Sequence, residues 1–166
     1  MERPLHCYAY VEARFDVVSR LLGEDAASLL QEATDDAAEQ ARSLSHRLAV
    51  EVGGFSVSRE VLIEVGDFEP RGITRSVVPL RWRAGSGRLL FPQLTADLEV
   101  SAVLLDPPLT QLTLDGSYAP PLGALGAGAD RLVLHRLAEA TVHRFVHEVA
   151  DRLRRRVDAL PPEQRY

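Results

Sequence analysis

The stretch that most constrains this chain is Asp130 to Leu160, DRLVLHRLAEATVHRFVHEVADRLRRRVDAL, which contains neither Gly nor Pro. Along it Leu134, Leu137, Ala138, Thr141, Val142, Phe145, Val149 and Leu153 recur at steps of three and four, the period of one helical face. Asp130 is a good N-cap, the run GALGAGA leads into it, and Pro161-Pro162 stops it. At about 1.5 Å per residue such a helix is more than roughly 40 Å long. A helix of that length with one apolar side needs a broad surface to cover it.

The residues before it supply that surface. Leu5 to Val11 alternates Cys7, Ala9 and Val11 against Tyr8, Tyr10 and Glu12, a strand pattern. Phe15 to Leu22 takes up a helical rhythm that Gly23 closes. Asp25 caps a second helix with Ala26, Leu29, Leu30 and Ala33 inward, and an Ala-rich continuation, Asp35 to Leu44, predicts a bend near Thr34 to Asp36. From His46 the alternation returns. His46 to Val52, Phe55 to Val65, Thr74 to Arg83, Leu94 to Leu104 and Thr110 to Tyr118 all read as strands, with Gly53-Gly54, Pro70, Gly85-Ser86-Gly87 and Asp106-Pro107-Pro108 between them. Short connections predict an antiparallel meander with one wet and one apolar face. The expected fold is therefore α+β: a sheet of six or seven strands curved around the last helix, with two short helices after the first strand, in a single domain spanning residues 1–166.

Charge and composition narrow the partners. A net charge of −5 argues against a general nucleic-acid or anionic-membrane binder. No apolar run approaches the roughly 20 residues of a membrane span. Cys7 is the single cysteine, so no internal disulfide can form. MERPLHCYAY lacks the apolar core of a signal peptide, and a cytoplasmic location is expected. Every basic residue among the 19 is Arg, which fits coding bias before it fits any functional demand.

Leu80 to Val100, LRWRAGSGRLLFPQLTADLEV, and Leu112 to Gly126, LTLDGSYAPPLGALG, running into a long terminal helix, resemble the helix-grip fold of the START-like or SRPBCC superfamily, which includes the polyketide cyclases. The resemblance implies an apolar cavity between sheet and helix with a mouth made of loops. It implies no single chemistry, because that scaffold carries many.

The candidate walls of such a cavity are Leu98, Val100, Leu112, Leu114 and Tyr118 on the sheet and Leu134, Ala138, Thr141 and Phe145 on the helix. Ala138 and Thr141 are small residues opposite medium-sized ones, a pairing that leaves room. Leu125, in the Pro120 to Leu125 loop, would control access. Trp82 and Tyr118, each with an apolar body and a polar tip, suit the rim of a pocket and an ordinary core equally. Arg59 shares the phase of Val57, Val61 and Ile63, which makes its guanidinium either an inward polar anchor for a ligand or a strand-end group reaching solvent. His135, Glu139, His143 and His147 form a row at helical spacing that could hold a metal, but the row falls on the flank and back of the helix and reads as a solvated face. Gly123, Gly126 and Gly128 precede a helix without P-loop spacing. Arg152, Arg154, Arg155 and Arg156 suit a helix C-terminus. No cofactor and no metal are expected. The function expected is binding of a small apolar molecule such as a lipid, isoprenoid or polyketide. The alternatives are a cyclase or aromatase enzyme, and a filled-core interaction module, which would pair with a partner or as a homodimer through the helix or an edge strand.

Overall fold

The computed structural model describes residues 3–52, 61–84, 93–119 and 131–165. The strands are β1 (Arg3–Val11), β2 (Val61–Val65), β3 (Glu69–Pro70), β4 (Arg75–Ala84), β5 (Gln93–Leu105) and β6 (Pro108–Ala119). The helices are α1 (Phe15–Glu24), α2 (Ala26–Val52), α3 (Arg131–Ala159) and the short α4 (Pro162–Arg165).

Among the described residues the strands join one six-stranded antiparallel sheet of order β1-β6-β5-β4-β2, with the two-residue β3 also on β4. β4, β5 and β6 form a meander, β2 and β3 both pair with β4, and β1 pairs with β6. Period-two alternation decides the faces. Leu5, Cys7, Ala9 and Val11 are buried, as are Leu94, Ala96, Leu98 and Val100, and Leu112, Leu114 and Tyr118. Tyr8, Glu64, Arg81, Asp97 and Asp115 alternate with them and are exposed. One face of the sheet is therefore wet and the other packed, the fold expected of a helix-grip protein.

The two long helices cover most of the packed face, and α1 packs beside them against β5 and β6. α3 lies against β1 and β6, and α2 lies beside it, over β2. They run antiparallel, as three contacts along the seam show. Arg156 donates to Asp25 (3.0 Å), and Arg152 donates to Glu32 (2.7 Å) and to Asp36. The inner side of α3 is Leu137, Ala138, Thr141, Val142, Phe145, Val146, Val149, Ala150, Leu153 and Val157, all buried.

Two sequence expectations need correction. The second helix is long, not short: it runs from Ala26 to Val52, 27 residues. His46 to Val52 belongs to it and is not a strand. Arg47, Leu48, Ala49 and Glu51 are good helix formers, and extending an existing helix adds a hydrogen bond for each residue fixed. Helix continuation thus outweighs a short alternation. α2 runs without a break through Thr34 to Asp36, where a bend is expected. Thr34 donates its hydroxyl to the Leu30 carbonyl (2.7 Å). Of the expected Phe55 to Val65 strand, Val61 onward is β2, and residues 55–60 lie outside the described residues.

Candidate functional site

The ends of the sheet differ. Register places Arg3 opposite Tyr118, Tyr118 opposite Leu94, Leu94 opposite Trp82 and Trp82 opposite Ile63. This row closes the end of the sheet nearest the start of α3. The next row inward is Leu5, Gly116, Ala96 and Leu80. Gly116 is needed there: a Cβ on it would lie 2.2 Å from the Thr95 carbonyl oxygen and 2.5 Å from the Ala96 Cα. The small pair Ala96–Gly116 is the next pair inward from Leu94–Tyr118 on the same face of the sheet.

The middle of the packed face is closed. Leu98, Val100, Leu112, Leu114 and Phe145 have 0% of their surface accessible, so no water-sized void borders them in this structure. Trp82 is equally enclosed, and its ring meets Phe145 edge-on, 5.0 Å between centroids at 81°. Its indole N–H donates to Thr34 Oγ1 (3.2 Å). Trp82 therefore stands in the core, tied to α2, and not on a rim. Ala138 and Thr141 are buried, and the Thr141 hydroxyl is turned back onto its own helix, donating to the Leu137 carbonyl (2.7 Å). Arg59 and Leu125 lie outside the described residues, as does the side chain of Leu134.

The polar chemistry gathers at Tyr118. Its hydroxyl is hydrogen-bonded to His135 Nδ1, and the two rings stack at 11° with centroids 5.8 Å apart. His135 Nε2 lies 3.2 Å from Glu139 Oε1 and 3.3 Å from the Arg3 guanidinium. Each group arrives from a different constraint. Tyr118 is carried by β6 and Arg3 by β1 in direct register with it; His135 and Glu139 lie one turn apart on α3. His135 is thus turned toward the sheet, contrary to the expectation that its row faces solvent. His143 and His147 do face outward. The signal was available: His135 precedes the buried Val142 and Val149 by seven and fourteen residues, the inner phase of the helix.

The cluster has two protonation patterns, because an imidazole ring has one N–H to place. With the proton on Nε2, His135 donates to Glu139 and accepts from the phenol. With it on Nδ1, His135 donates to the phenol oxygen, accepts from Arg3, and leaves the phenolic O–H to another acceptor. Burial first, then the Glu139 carboxylate, hold the Tyr118 phenol above its ordinary value, with Arg3 pulling the other way. The phenol is therefore neutral and a donor near pH 7.

No family model and no curated protein matches the chain. Among solved structures it is similar to the Zhui aromatase/cyclase from Streptomyces sp. R1128, at 18% identity and TM-score 0.41, covering 96% of this chain and 98% of that one. It is similar to DynU16, a protein in the dynemicin biosynthetic locus, at 17% identity and TM-score 0.40, covering 98% of this chain and 49% of that one. A third structure, from Thermus thermophilus, shares 13% identity at TM-score 0.36, over 91% of this chain and 97% of that one. At these identities and scores the likenesses say nothing about chemistry. No helix of the described residues is long and apolar enough to cross a membrane.

Proposed function

We propose that the chain is an acid–base enzyme of the cyclase or aromatase type, acting on a small apolar carbonyl compound at the α3 end of the sheet. The observation that carries this reading is the phenol–imidazole–carboxylate chain Tyr118–His135–Glu139, with Arg3 beside it. A neutral phenol can donate to a substrate carbonyl oxygen. With His135 neutral and its proton on Nε2, the phenol oxygen takes the proton of an acidic C–H while its own O–H proton passes to Nδ1, leaving an enolate and an imidazolium. Glu139, accepting from Nε2–H, keeps the ring oriented through the transfer. In the return step the phenolic proton moves to the enolate, at oxygen or carbon, and the imidazolium Nδ1 gives its proton back to the phenol oxygen. General acid–base steps of this kind are worth about 10²–10⁴ in rate. The middle of the packed face is closed, so the substrate would be held at the α3 end of the sheet, beside Tyr118, His135 and Arg3, and not between α3 and Leu98, Val100, Leu112, Leu114 and Phe145.

The test is hydrogen–deuterium exchange at the C–H between the carbonyls of an aromatic 1,3-diketone, followed by NMR. Wild type should accelerate exchange, and Tyr118→Phe and His135→Ala should each lose about 10²-fold or more while keeping their circular dichroism. Exchange that is unaltered in both variants would refute the enzyme reading. The second reading, a carrier of a neutral apolar molecule, is favoured by the sheet wall of Leu94, Leu98, Val100, Leu112 and Leu114, which carries no ionisable group. It predicts tight binding of the diketone with no accelerated exchange.

A further inference from the structure

At the opposite end of the sheet, the N-terminus of α1, the loop before β4 and the β5–β6 hairpin enclose a hollow of about 410 Å³. Its walls are Phe15, Ile73, Ala102, Leu104, Leu105 and Pro108. Single exposed aliphatic side chains are ordinary on any protein surface. Here three converge on one hollow: Ile73 is 93% exposed, Leu105 85% and Leu104 49%. The backbone holds them there. Gly72, at φ +82°, turns the chain just before Ile73. An irregularity of register between Ala102 and Leu104 interrupts the β5 alternation that buries Leu98 and Val100. By uninterrupted alternation Leu104 would have joined the core.

The charges around the hollow define what it would accept. Arg14 and Asp16 both line it, and they are spent on each other: Arg14 Nε donates to Asp16 Oδ1 (2.9 Å) and Nη2 to Oδ2 (3.2 Å). The nearby Arg71 and Arg75 are paired in the same way, with Glu69 and Glu99. An anionic headgroup would have to break one of these pairs, and a cation would meet a carboxylate that is already neutralised. Thr74 adds a hydroxyl to the lining. The volume lies within the roughly 300–1,000 Å³ of small-molecule sites.

We propose that this hollow is a second ligand site, separate from the Tyr118 cluster, which takes the uncharged apolar portion of a small molecule. The binding force is burial of Ile73, Leu104 and Leu105 against the ligand, with Phe15 as the floor.

Nile red, a neutral fluorescent probe, tests this with the intact chain. Saturable binding is expected, insensitive to salt between 50 mM and 500 mM because no ion pair forms or breaks (about twofold at most). The double variant Ile73→Ser/Leu105→Ser should weaken it by about tenfold or more. Those residues are too exposed to support the fold, so the variant stays folded. Tyr118→Phe should leave the same affinity unchanged, which separates this site from the proposed active site. Three results would overturn the proposal: no saturable binding by wild type, equal binding by the double variant, or a wild-type dimer in sedimentation that the double variant dissolves. The last would identify the patch as a face between two copies of the chain.

Discussion

Phe145→Ala distinguishes a packed helix–sheet interface from a hollow one. Phe145 has no accessible surface, and its ring stands edge-on to Trp82 with 5.0 Å between centroids. Truncating a buried Phe costs about 3–5 kcal/mol when the surroundings cannot collapse into the space. An edge-to-face partner contributes about 0.5–1.5 kcal/mol beyond burial. Trp82 cannot follow the lost ring, because its N–H is held by Thr34 on α2. The expectation is thus about 4 kcal/mol, a loss of roughly 8–16 °C in Tm for a domain of this size. Trp82 is the only tryptophan, so urea unfolding followed by its fluorescence reads the transition at the mutated site itself. Phe145→Leu should recover more than half of the loss. A cost for Phe145→Ala below about 1 kcal/mol would mean that the ring already borders empty space, and the packed-interface reasoning would fail.

Other perturbations have expected outcomes of their own. Gly116→Ala forces a Cβ to within 2.2 Å of the Thr95 carbonyl, so β5 and β6 must part; a loss of about 2 kcal/mol or more is expected in chemical denaturation, and an unchanged midpoint would show that the strands are not pressed together there. The Tyr118 phenol, raised above 10.0 chiefly by burial, keeps its proton when the unfolded chain has lost it. Its contribution to stability is therefore complete below pH 10 and falls as pH rises through the folded value; Tyr118→Phe should flatten that alkaline limb, and a limb of unchanged slope would contradict the assignment. Burial pushes the Cys7 thiol up to about 12, so a disulfide reagent at pH 8 should label it only as fast as the protein opens, with full labelling in urea.

How far the sequence could be read depended on what competes at each place. Leu94 to Val100 alternates small and large apolar residues with Thr, Asp and Glu, and nothing local opposes a strand there; the strand and its face both followed. His46 to Val52 alternates as well, but it continues a helix whose next hydrogen bonds are already in position, and that continuity is not visible in a seven-residue pattern. Leu104 illustrates a different limit. Its phase matches Leu98 and Val100, yet a register irregularity at the hairpin leaves it half exposed, and no residue type announced that irregularity. The Tyr118 cluster is the clearest case. Tyr118 could be picked out as a large residue with a polar tip at a strand end, but its partners come from β1 and α3, more than a hundred residues apart in the chain. Grouping His135 with His143 and His147 puts it on the outer face, although its own spacing to Val142 and Val149 places it on the inner one. Arg3 carried no signal of its own, since its role follows from β1 pairing with β6.

That pairing has a consequence for how the molecule is made. β1 is synthesised well before its register partner β6, the last strand of the described residues: Val11 meets Thr110, a separation of 99 residues. At about 5–20 residues per second, β1 waits some 5–20 s for β6 to be translated. During that interval Leu5, Cys7, Ala9 and Val11 have no sheet to join, and the strand offers an open row of backbone donors and acceptors. Closing so long a loop also makes folding slow for the size of the domain. The nascent chain is therefore most open to wrong pairing, and most in need of a holding chaperone, over a window whose end is set by the emergence of residue 119.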